Sequence, residues 1–157
     1  MIPPFLRSDT PLFCSSIHHP HIQGIDFEWL ATDAEGHVAL FSNEGGVAPP
    51  ELVLRNMDAH SRALQALLLA PPTTRPLFSP LDPLERDNVW RTVAERGLFA
   101  YRADPLGGPY RLAAAPMEPI RLFDLPETTA RTVGAIRFKR LRFRYVYSVT
   151  AEALRPD

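Results

Sequence analysis

Three histidines, His18, His19 and His21, lie close to the single cysteine, Cys14, and are the densest group of metal-type ligands in the chain. Zinc needs three or four ligands in defined geometry, with outer partners that orient them. Adjacent His18 and His19 point apart in an extended chain, and Pro20 restricts the segment. A surface loop is expected there. Cys14 lacks any sign of the hydrogen-bonded base and oxyanion donors that a thiolate nucleophile needs, so it reads as a structural thiol. Glu28, Asp33 and Glu35 place three carboxylates within eight residues. Paired carboxylates do acid–base work only at a controlled separation and burial, which spacing does not supply, so a solvated face is expected. The run Asn43-Glu44-Gly45-Gly46 lacks the spacing of a phosphate-binding loop and reads as a turn. No catalytic set, metal site or cofactor is expected.

The elements that must position these groups begin with a β-hairpin. Phe27, Trp29 and Ala31 alternate with Glu28, Leu30 and Thr32, which is the period of a strand. Ala34-Glu35-Gly36 supplies the turn and His37 to Phe41 the return strand. Pro49-Pro50 precedes a helix predicted over 51–69, carried by Val53, Met57, Leu64 and Leu68 and stopped by Pro71-Pro72. Asp82-Pro83-Leu84-Glu85 has the chemistry of a helix start, with Val89, Trp90 and Val93 as its buried stripe and Gly97 as its stop. Strands are predicted over 98–103, 110–114 and 120–123, and a short helix from Leu125 to Gly134. Leu141, Phe143, Tyr145, Tyr147 and Val149 alternate with arginines, so 136–149 is predicted to be one strand, broken near Lys139-Arg140, with one buried and one solvated side. Residues 1–25 read as an irregular arm and 71–81 as a proline-rich linker inside a single domain. The expected fold is α+β: a mainly antiparallel sheet with two main helices and one short one.

At 157 residues with 45% hydrophobic content, the chain is large enough for one packed core without disulfide or metal. No apolar run approaches the length of a membrane span, and the N-terminus lacks the pattern of a signal peptide, so a cytoplasmic location with no membrane partner is expected. Net charge is −1, but unevenly spread. Residues 1–60 carry eight acids against two bases, and residues 120–157 eight bases against four acids. The two ends either attract each other within the fold or present a polar face to a partner. Trp29 and Trp90 read as core residues, although a partly exposed Trp29 would serve as an interface anchor.

The stretch Phe27 to Ser42, followed by Gly45-Gly46 and a proline, resembles a segment of small bacterial proteins, some of them immunity proteins of polymorphic or contact-delivered toxin systems. The resemblance implies a non-enzymatic protein that binds a cognate toxin and occludes its active site. Asp26, Glu28, Trp29, Asp33, Glu35 and Glu44 are the contact candidates, because an acidic face would steer onto a basic toxin. The alternative is a nucleic-acid-associated or regulatory module using the C-terminal arginines, disfavoured because aromatics and arginines alternate to opposite sides.

Overall fold

The computed structural model describes residues 27–43, 48–78, 88–104, 106 and 108–154. Its centre is a seven-stranded mixed sheet. Strands β1 (Glu28–Asp33) and β2 (Val38–Ser42) form the predicted hairpin. Helices α1 (Glu51–Leu54) and α2 (Met57–Leu69) follow, then β3 (Pro76–Phe78), α3 (Asn88–Glu95), β4 (Phe99–Ala103) and β5 (Tyr110–Pro116). The chain ends with α4 (Glu127–Gly134), β6 (Arg137–Phe138) and β7 (Ser148–Val149). The strand order is β3-β5-β4-β2-β1-β6, and β7 pairs with β5 beside β3. Most pairings are antiparallel, but β2–β4 and β1–β6 are parallel. Each parallel partner is reached through an intervening helix, as parallel pairing requires. The fold is α+β, as expected.

Both faces of the sheet are covered. On one face, α2, α3 and α4 pack Ala63, Leu67, Trp90, Val93 and Val133 against Leu30, Val38 and Leu40. On the other lies an aromatic layer. The β1–β2 register puts Trp29 opposite Phe41, and the β2–β4 register puts Phe41 opposite Tyr101. Their rings stack in sequence at 4.4 and 5.1 Å. Phe143 and Tyr110 meet Phe41 edge-on. The C-terminal segment, with Phe143, Val149 and Leu154, covers this layer. The single solvated side expected for the hairpin is therefore absent: β1 is buried from Trp29 onward, and β2 is buried throughout.

Several other expectations are corrected. The helix over 51–69 divides at Arg55-Asn56, where the Asn56 amide donates to the Leu52 carbonyl at 3.0 Å and competes with the helical ladder. The linker 71–81 contains an edge strand, β3, suited to Pro76 because an edge tolerates a missing N–H. Val89 is half exposed, whereas Trp90 and Val93 are buried. The strand over 120–123 is a single bridge between Arg121 and His37 followed by a 3-10 turn at Leu122–Asp124. The long strand over 136–149 is only β6 and β7, joined by a turn and the 3-10 segment Phe143–Tyr145. Its alternation misleads because Phe143 and Val149 are buried while Tyr145 and Tyr147 are exposed. The Tyr101 hydroxyl holds this segment on the sheet, lying 2.6 Å from the Val146 carbonyl and 3.2 Å from that of Phe143.

One polar contact bridges the helical layer and the sheet. The N–H of Leu30 donates to Nδ1 of His60, on α2, at 3.1 Å. Burial pushes the His60 imidazole down to about pKa 4, so it stays neutral and keeps the lone pair that accepts this bond.

Candidate functional site

The hairpin turn brings three ionisable groups together, Asp33, Glu35 and His37. Gly36, at φ 81°, lets a three-residue loop close the strands, and its N–H donates to the Asp33 carbonyl. Asp33 is wholly buried. Its Oδ1 accepts the N–H groups of Glu35 and His37, both at 2.9 Å. Its Oδ2 accepts the N–H of Phe143 at 2.8 Å, which ties the turn to the C-terminal segment. A carboxylate bonded in this way is satisfied by main chain and fixed in place.

Glu35 leans over the turn, about a third exposed, with Nε of Arg142 and Arg144 at 3.7 and 3.8 Å. The attraction between the acidic and basic ends is thus spent partly inside the fold. His37 is 2% exposed, with Nδ1 at 3.6 Å from Glu35 Oε1 and 3.8 Å from Asp33 Oδ2. Neither His37 Nδ1 nor Glu35 Oε1 has a hydrogen-bond partner, and both atoms are shielded from solvent. Burial holds the His37 imidazole below its usual value; Asp33 and Glu35 oppose the shift, and Arg144 and Arg121 add to it.

Of the six predicted contact residues, Asp26 and Glu44 lie outside the described residues, as do Cys14, His18, His19 and His21. Trp29 and Asp33 are fully buried and cannot touch a partner: Trp29 is stacked in the aromatic core and Asp33 is consumed by the turn. Glu28 stays partly exposed at the start of β1, and Glu35 is shared with two arginines. Sequence reasoning passed over His37, which it placed only as a strand residue. The spacing Asp33-x-Glu35-x-His37 was the available signal, but it converges only because the turn folds it back.

A second feature lies on the aromatic side, where β3 and β5 meet the C-terminal segment. A groove of about 320 Å³ is lined by Leu77, Phe78, Leu112, Met117, Arg144 and Tyr147, among others. Leu77, Met117 and Tyr147 are each about half exposed, and Tyr145 is 70% exposed on the same segment. Among the described residues no helix is long and apolar enough to cross a membrane. No known family, curated protein or solved structure matches the chain.

Proposed function

We propose that the protein is a non-enzymatic, cytoplasmic binder of another protein, of the immunity type, and that it neutralises a cognate bacterial toxin by occlusion. The observation that carries a binding role is the groove, where Tyr147, Met117 and Leu77 stay exposed beside Arg144. Aromatic, methionine and arginine side chains are the residues enriched at the energetic centres of protein interfaces. The toxin as partner rests on the resemblance of the Phe27–Ser42 hairpin. The contact surface is the groove in place of the acidic hairpin, and Arg144 in its lining favours an acidic rim on the toxin. The experiment mixes the purified chain with the product of the adjacent upstream gene. A complex, and protection of cells expressing that product, are expected; Tyr147→Ala should weaken both. Absence of complex and of protection overturns the reading.

One observation favours a second reading, a single-stranded nucleic-acid binder. Tyr145 and Tyr147 are exposed on the segment that carries Arg142 and Arg144, so bases would have rings to stack on and cations for the backbone. Its sign is binding to RNA or DNA that weakens with salt and is lost on joint replacement of Arg142 and Arg144.

A further inference from the structure

We propose that Asp33 Oδ2, Glu35 Oε1 and His37 Nδ1 form a binding site for a divalent first-row transition-metal ion, with zinc as the probe. The three residues offer one ligand atom each, all within 4.8 Å of one another. Nδ1 of His37 lies 3.8 Å from the Asp33 oxygen and 3.6 Å from the Glu35 oxygen, too far for hydrogen bonds. With metal–ligand bonds of about 2.0–2.2 Å, ligand atoms around a tetrahedral zinc stand roughly 3.4 Å apart. To seat an ion, the two histidine–carboxylate gaps need to close by a few tenths of an ångström, and the two carboxylate oxygens, within 4.8 Å of each other, by up to about 1.4 Å, a movement that falls to the partly exposed Glu35 side chain.

The buried histidine is the observation that lifts this group above a chance cluster of acids. His37 is 2% exposed, and its Nδ1 points into the cluster without a hydrogen-bond partner. The shielded Oε1 of Glu35 likewise makes no hydrogen bond, its nearest charged neighbours being His37 Nδ1 at 3.6 Å and Arg144 Nε at 3.8 Å. A buried polar atom left without a partner costs free energy, and two facing each other suggest a common third party. One imidazole and two carboxylates suit a borderline cation such as zinc better than magnesium, which favours an all-oxygen shell.

The surroundings supply an outer shell. Oδ1 of Asp33 accepts the N–H groups of Glu35 and His37, and Oδ2 accepts that of Phe143 while keeping a lone pair for an ion. Three protein ligands leave further positions for water or an incoming group, on the side where Glu35 meets solvent. Arg121 opposes a cation from the His37 side, and Arg142 and Arg144 are the opposing charges on Glu35. Both are about half exposed and hold Glu35 only at 3.7 and 3.8 Å, so they have room to swing away as the ion enters.

The test is calorimetric titration of the metal-stripped full chain with zinc, alongside thermal melting with and without it. One zinc per chain and a raised melting temperature are expected. Glu35→Gln should weaken binding by about 10- to 100-fold or more, while the metal-free melting temperature falls only slightly through loss of the exposed pairs with Arg142 and Arg144. Joint replacement of His18, His19 and His21 by Ala should leave binding intact. In the unaltered chain, cobalt(II) should broaden the His37 and Glu35 resonances before others, a readout that needs no variant. Failure of zinc to bind saturably overturns the proposal and leaves a bridging water as the third party. Binding that survives Glu35→Gln, or that vanishes with the three N-terminal histidines, overturns it as well.

Discussion

One carboxylate at position 33 joins parts of the chain that are 110 residues apart. Its three N–H donors are main-chain groups that the fold has already placed, so no other side chain can take over its role. Asp33→Ala leaves these donors unpaired, two of them buried, and each such group costs about 1–3 kcal/mol. A destabilisation of about 2–4 kcal/mol is expected, read as a lower urea midpoint at unchanged slope. A loss below about 0.5 kcal/mol would show that water replaces the carboxylate. The sequence marked Asp33 as a residue beside a turn, and that much holds. It did not show the carboxylate as buried, because the group that buries it, Phe143, arrives from the far end of the chain. Trp29 was misassigned as a contact residue for the same reason: alternation reports which residues share a face, not what covers that face.

At the scale of elements, two glycines with similar backbone angles have different surroundings. Gly36 has φ 81° in the hairpin turn, with nothing within 4 Å of where a Cβ would stand. Gly97 has φ 87° at the end of α3, and a Cβ there would lie 2.5 Å from Cγ2 and 2.9 Å from the main-chain nitrogen of Ile120. Gly36→Ala should therefore cost only the backbone conformation, about 1–2 kcal/mol. Gly97→Ala adds a clash with main chain that cannot rotate away, and should lower the melting temperature clearly further. Equal losses would refute that difference. Gly97 was legible as a helix stop, and the hairpin and α4 were legible from local chemistry. The segment 136–149 was not. Its regular alternation satisfies a strand pattern, yet Asp33 and Tyr101 draw Phe143 inward and bend the chain into a 3-10 turn. Contacts from elsewhere in the fold outweighed local periodicity.

For the molecule as a whole, acid should be destabilising. The unfolded chain takes up a proton on His60 near pH 6.5, while the folded chain resists until about 4. Stability from this residue is therefore complete above pH 6.5 and falls as pH drops through that window, by about 1.4 kcal/mol per unit and about 3 kcal/mol in all. Lowered His37 acts in the same direction. Melting curves from pH 7.5 to 5 should show the decline, and His60→Gln, which keeps an acceptor oxygen but cannot titrate, should flatten it. An unchanged slope in that variant would exclude His60 as the cause. The charge asymmetry was legible in composition, and Glu35 with Arg142 and Arg144 shows part of it satisfied internally. The aromatic face carries one more consequence, for the order of synthesis. Its rings come from β1, β2, β4, β5 and β6, yet Phe143 and Val149, which close over them, leave the ribosome only after all of these strands. Until then the nascent chain holds a stack of bare rings, a surface that invites association with other chains or with a chaperone. A chain ending before Phe143 would be held in that state permanently.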